Sequence, residues 1–185
     1  MGYAQALEKA WNDVTNLTAE KRFNIRMLSD EYEIDVEKRS VLSLSCNAPP
    51  KEHISIILLH YLIQKLKLKV LPSPQADWID FRYLEGGNVY YPAFRKRVIE
   101  VVLRKYGRNP EGLLDVIGRL PAKRIQIGDI GIVVQVFEEI PILISLYRGD
   151  DDFGPEANIL FDRSIKAIFC TEDIVVLADI VVHLL

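Results

Sequence analysis

Apolar positions along the chain change period several times, and each change predicts a boundary. Tyr3, Leu7, Ala10, Trp11 and Val14 recur at helical spacing and predict an amphipathic helix over residues 3–16. A weaker helical piece is expected over Thr18–Leu28. The period then falls to two. Tyr32, Ile34 and Val36 alternate with Glu33 and Asp35, the pattern of a half-buried strand, and Val41–Ser45 supplies a partner across the turn Glu37-Lys38-Arg39. Pro49 and Pro50 stop that strand and open a helix reaching about Lys67, because proline is tolerated in a first helical turn. Its stripe of Ile54, Ile57, Leu58, Tyr61, Leu62 and Leu66 is widened by Ile56, Leu59 and Ile63, which predicts the most buried helix of the chain.

Beyond a Pro72-Ser73-Pro74 loop, Trp78–Phe81 reads as a short extended piece and Gly86-Gly87-Asn88 as a turn. A third helix is predicted over 92–106, opened by Pro92, and a fourth over Glu111–Leu120. Three strands follow at Arg124–Ile127, Ile130–Phe137 and Ile140–Tyr147. Val133, Val134 and Val136, and then Ile142, Leu143 and Ile144, form nearly continuous apolar runs, so these strands are expected to be covered on both faces. Their short connections imply an antiparallel meander. Asp162 is placed to cap a short helix ending near Phe169, and Thr171 to cap the last helix, whose first turn carries Glu172 and Asp173. The expected architecture is α+β. An antiparallel sheet, made of a meander of three C-terminal strands plus an N-terminal hairpin, packs against several helices as one globular domain spanning 1–185.

Composition narrows the class. The 185 residues are 49% hydrophobic and 26% charged, enough for a core without disulfides. Cys46 and Cys170 stand outside any CxxC spacing and read as two buried, reduced thiols. The alternating N-terminal segment lacks a signal-peptide core, and the run Ile174–Leu185, broken by Asp179 and His183, is too short to span a membrane. A cytoplasmic protein with no membrane contact is expected. The net charge of −3 argues against nucleic acid as a partner. Charge is nonetheless divided: residues 92–124 carry nine Lys/Arg and three Asp/Glu, net +6, whereas 149–185 carry two and eight, net −6. These segments face one another, simply balance, or dock partners of opposite charge.

Candidate chemistry concentrates in Gly149–Asp162, where Asp150, Asp151, Asp152, Glu156 and Asp162 place five carboxylates in fourteen residues. Three consecutive Asp repel one another, so the turn either meets something cationic or fans into water. The spacing is wrong for an EF-hand, and no metal site is expected. His53 and His60 are seven apart, about 10 Å along a helix, too far to share one metal ion directly. No HExxH, GxSxG, GxxxxGK[ST] or GxGxxG occurs in the context those motifs require. The basic residues of 95–108 lack interleaved exposed aromatics, which again disfavours nucleic acid.

Several segments form an ordered set: Leu58-Leu59-His60-Tyr61-Leu62, Trp78-Ile79-Asp80-Phe81-Arg82, Tyr91-Pro92-Ala93-Phe94, Gly128-Asp129, Gly149-Asp150 through Phe153, Ile159-Leu160-Phe161-Asp162 and Thr171-Glu172-Asp173. In these the chain resembles an uncharacterised prokaryotic family, domain of unknown function 3786, from about residue 5 to the end. The resemblance implies a setting in anaerobic metabolism. Some members bear an extra cysteine-rich segment and the label of iron–sulfur protein. Such a cluster takes four thiolates, so with two cysteines none is expected here, nor any other cofactor. No catalytic residues transfer. The matching segments suggest a candidate pocket of His60, Trp78 and Arg82.

The expected function is an accessory or binding domain that meets an unknown protein partner or small ligand at the acidic turn. The alternative is a small-molecule enzyme in which His60 moves a proton, Arg82 clamps an anion and Asp150 completes the pocket. A third reading is a homodimer joined by a sheet edge or by the charged faces.

Overall fold

The computed structural model describes residues 2–185, which form two compact units, one ending at Pro72 and one covering Ser73–Leu185. Both combine helices with an antiparallel sheet, so the α+β reading holds in each.

In the first unit, α1 (Tyr3–Leu17) buries Ala10, Trp11 and Val14. Strands β1 (Arg22–Met27), β2 (Asp30–Asp35) and β3 (Ser40–Ser43) form a sheet in chain order. The α2 helix (Glu52–Leu68) buries eight residues, among them Leu58, Leu59 and Tyr61. The helical piece expected over Thr18–Leu28 is instead β1. Ile25 and Met27 point inward between outward Asn24 and Arg26, which is period two. Met27 pairs with Asp30, leaving a two-residue hairpin in which Leu28 takes a left-handed φ of 54°. Asn-Gly or a similar pair usually marks such a turn, and its absence hid the strand.

The first unit also holds a carboxylate clasp. Asp30 accepts from the hydroxyls of Ser43 (2.6 Å) and Ser45 (2.5 Å) and from the amides of Glu31 and Ser45, fixing the segment after β3. Its pKa is lowered: burial works against the charge and these donors outweigh it. Beside it, burial and the Asp30 carboxylate push the Tyr32 phenol up to about 12.

The second unit opens with β4 (Trp78–Asp80) and a 3-10 turn over Phe81–Tyr83. A continuous helical stretch follows as α3 (Gly87–Phe94), a π turn over Arg95–Ile99, and α4 (Glu100–Tyr106). This helix begins five residues before Pro92, which lies inside it. Glycine sets the start. Gly86 is left-handed with φ of 67°, and a Cβ on Gly87 would lie 2.1 Å from the Phe81 carbonyl oxygen. The predicted fourth helix is a 3-10 segment over Pro110–Gly118.

Strands β5 (Ala122–Ile125), β6 (Ile130–Phe137) and β7 (Ile140–Tyr147) form the expected meander, with β5 two residues earlier than anticipated. An unforeseen β8 (Glu156–Asp162) extends it, and β4 closes the order β4-β8-β7-β6-β5. All of β6 and β7 except Gln135 and Tyr147 is buried, as the unbroken apolar runs demand. A short 3-10 turn (Arg163–Ala167) and α5 (Thr171–Leu184) end the chain. Asp162 caps that turn by accepting from the Ser164 amide at 3.0 Å. Thr171 does not cap α5. Cys170 occupies the cap position, and the Thr171 hydroxyl donates to the Glu85 carbonyl oxygen at 2.8 Å. That bond ties the start of α5 to the residues before α3.

Phenylalanines join these elements. Phe81 and Phe94 stack with centroids 4.0 Å apart, and Phe161 of β8 meets Phe94 at 6.2 Å. Both cysteines are free and exposed, against the expectation of buried thiols. Each sits at a chain connection, Cys46 just after β3 and Cys170 just before α5, and Cys170 is covered only in part.

Candidate functional site

The acidic turn is built by its own backbone. A Cβ on Gly149 would lie 2.8 Å from the Phe153 carbonyl oxygen, so glycine is required for the chain to double back. The Asp150 amide donates to that same oxygen at 2.8 Å, and one Asp150 carboxylate oxygen accepts from the amides of Phe153 (2.7 Å) and Asp152 (2.9 Å). These amides, that of Phe153 foremost, hold the Asp150 carboxyl below its ordinary range.

Asp162 has a similar task in a buried place. It is 2% exposed and accepts from the amides of Gln75, Asp77 and Ser164, which outweigh the burial that opposes its charge. It thereby fastens the segment before β4 to the end of β8. Asp151, Asp152 and Glu156 are exposed, as is Phe153 at 73%. The five carboxylates therefore divide into two that hold backbone and three that face solvent. Among the described residues, no three His, Cys, Asp or Glu side chains are grouped to hold a metal ion.

The sequence-derived pocket residues fall in different units. His60 is half-buried on α2 in the first. Trp78 and Arg82 belong to the second, Trp78 half-buried on β4 opposite Asp162. The Arg82 guanidinium donates to both oxygens of Asp80 (2.8 and 3.2 Å) and stacks over Tyr91 at 4.7 Å. Asp80 also caps the turn through the Arg82 amide.

A mainly apolar groove of the second unit lies elsewhere. One wall is Tyr90, Ala93, Phe94 and Arg97, from α3 and the π turn; the other is Thr171, Glu172, Val175 and Val176 of α5. The groove encloses about 290 Å³. Phe94 is fully buried, whereas Tyr90 is 54% exposed. Arg97 donates through Nε and Nη2 to the two oxygens of Asp179 (3.0 and 3.1 Å), a bidentate pair that joins the π turn to α5. This pair also joins the basic and acidic segments that the sequence separated. The exposed side chains of Tyr83 and Val89 belong to the segments leading into Tyr90. The sequence hides the groove because Gly86-Gly87 reads as a turn and Val175-Val176 lie within the apolar run Ile174–Leu185, which reads only as a stretch too short to span a membrane. Helix spacing from Tyr90 to Ala93, Phe94 and Arg97 was the available signal.

The fold and site define an α+β protein with a small, mainly apolar groove between two helices. The model of the family described as Domain of unknown function (DUF3786) matches residues 7–184, and the chain belongs to that family. No curated protein and no solved structure matches it.

Proposed function

We propose that this chain is a binding module, an accessory domain of anaerobic metabolism that holds a ligand in the groove between α3 and α5. The carrying observation is the groove itself. Apolar side chains from two helices line about 290 Å³, with Arg97, Thr171 and Glu172 as polar neighbours, the usual composition of a small-ligand site. The exposed Asp151, Asp152 and Glu156 are available for a second, protein contact. The anaerobic setting rests on the family resemblance.

We place the module in the cytoplasm, without nucleic acid as a partner. No helix among the described residues is long and apolar enough to cross a membrane, and the net charge of −3 suits neither role. An iron–sulfur cluster has no place in this reading. Two cysteines, one in each unit, are fewer than the four thiolates such a cluster takes. The enzyme alternative draws no support from Arg82 and Asp150, whose charges are committed to Asp80 and to the turn backbone.

Native and denaturing mass spectrometry of protein purified without oxygen or chelator tests the proposal. The expected result is an added mass that leaves on denaturation and is lost in a folded Val176→Asp variant. A bare mass for both proteins would remove the reading, and a bare mass of twice the chain would favour the homodimer.

A further inference from the structure

We infer that the groove between α3 and α5 takes a small organic cation, an ammonium group carried on a compact apolar body; the inference rests on the groove being a ligand site. Ala93, Phe94, Val175 and Val176 supply apolar walls for the body, and the volume of about 290 Å³ suits a single ring with a short chain. The charge preference follows from which polar groups are already occupied. Thr171 gives its hydroxyl proton to the Glu85 carbonyl oxygen. Arg97 presents its Nε and one terminal nitrogen to Asp179, so its charge is already met by a carboxylate and draws an incoming carboxylate or phosphate less strongly.

Glu172 remains. It is exposed, lines the groove, and has the Cys170 thiol, a weak donor, as a neighbour. The half-exposed Tyr90 lines the other wall, and an aromatic ring together with a carboxylate in one groove is a setting in which ammonium groups are held. The start of α5 would by itself attract an anion, but Glu172 and Asp173 already fill its first turn with negative charge.

The test is a set of amide NMR titrations with three probes of one shape: 2-phenylethylammonium, 2-phenylethanol and 3-phenylpropionate. The ammonium is expected to bind most tightly and to shift the amides of residues 89–97 and 171–177. Glu172→Gln should weaken it about fivefold, the scale of an exposed ion pair, and leave the alcohol unchanged. Tyr90→Ala should weaken the ammonium more than the alcohol. Both side chains are exposed, so the free variants should keep the parent's spectrum except for amides next to the substitution. Equal binding of all three probes, or preference for the carboxylate, would overturn the cation assignment while leaving a ligand groove. No shifts at millimolar probe would overturn both readings. Shifts of these amides on dilution, without probe, would give the groove to a second copy and also overturn the inference.

Discussion

Phe81 and Phe94 lie almost parallel, 3° between ring planes, one on the turn after β4 and the other at the end of α3. Both are fully buried, and Phe94 also forms part of the groove wall. Phe81→Ala should therefore cost about 3–5 kcal/mol, the usual penalty for emptying a buried aromatic site. Phe81→Leu should cost less because more of the volume stays filled. Urea unfolding of both variants measures this. A loss under about 1 kcal/mol for the alanine variant would mean that the stack is not a structural anchor.

Asp162 should make the protein sensitive to acid. Its pKa is lower folded than unfolded, so its contribution is present above the unfolded value and fades as pH falls through the folded one. Asp162→Ala would leave the part-buried amides of Gln75, Asp77 and Ser164 without their acceptor, at a cost of about 1–3 kcal/mol at neutral pH. The variant should also lose stability less steeply than the parent on acidification. Urea midpoints across the acid range, for parent and variant, give both quantities. Parallel curves would contradict the assignment. Asp30, whose pKa is also lowered, keeps some acid sensitivity in either protein.

The three consecutive aspartates should separate by function. Asp150→Ala removes the acceptor of the Asp152 and Phe153 amides, so these two amides should exchange with solvent faster. Asp151→Asn and Asp152→Asn should leave them unchanged. Hydrogen exchange followed by NMR distinguishes the variants, and equal rates in all of them would show that the backbone alone holds the turn.

Cys170 should react slowly with alkylating reagents near neutral pH despite its exposed position. Partial burial of the thiol, with the Asp173 charge nearby, pushes it up to about 11, and the thiolate is the reactive form. In a Cys46→Ser background, the iodoacetamide rate at Cys170 should climb steadily from pH 8 and level off only above about pH 11. A plateau near pH 8 would contradict this environment.

The sequence was most readable where one period persisted. The helix of Tyr3, Leu7, Ala10, Trp11 and Val14, and the runs of Val133–Val136 and Ile142–Ile144, lie where their patterns placed them, because burial of one face or of both is itself the pattern. Elements were missed where a local signal pointed elsewhere. Leu28 makes a hairpin turn without the residues that usually mark one, and Pro92 sits inside a helix it seemed to begin. In β8, Ala157, Ile159 and Phe161 do alternate, but the carboxylates around them drew the reading toward a loop. Thr171 is a typical capping residue whose hydroxyl is drawn instead to Glu85, a partner 86 positions away that no local rule supplies. The groove needed the same kind of information. Tyr90 and Val176 belong to helices whose meeting is fixed by tertiary contacts such as Arg97 with Asp179.

The π turn at Arg95–Ile99 acts on the α3–α4 helix as a one-residue insertion would. Each helical residue advances the side chains by about 100°. A family member one residue shorter here would run as a straight α-helix, and the residues on either side of the deletion would change their relative facing. In an alignment this would look like a trivial gap in an ordinary helix. Physically it would decide whether Arg97 and Tyr90 share one side of that helix, and so whether two homologues present the same groove.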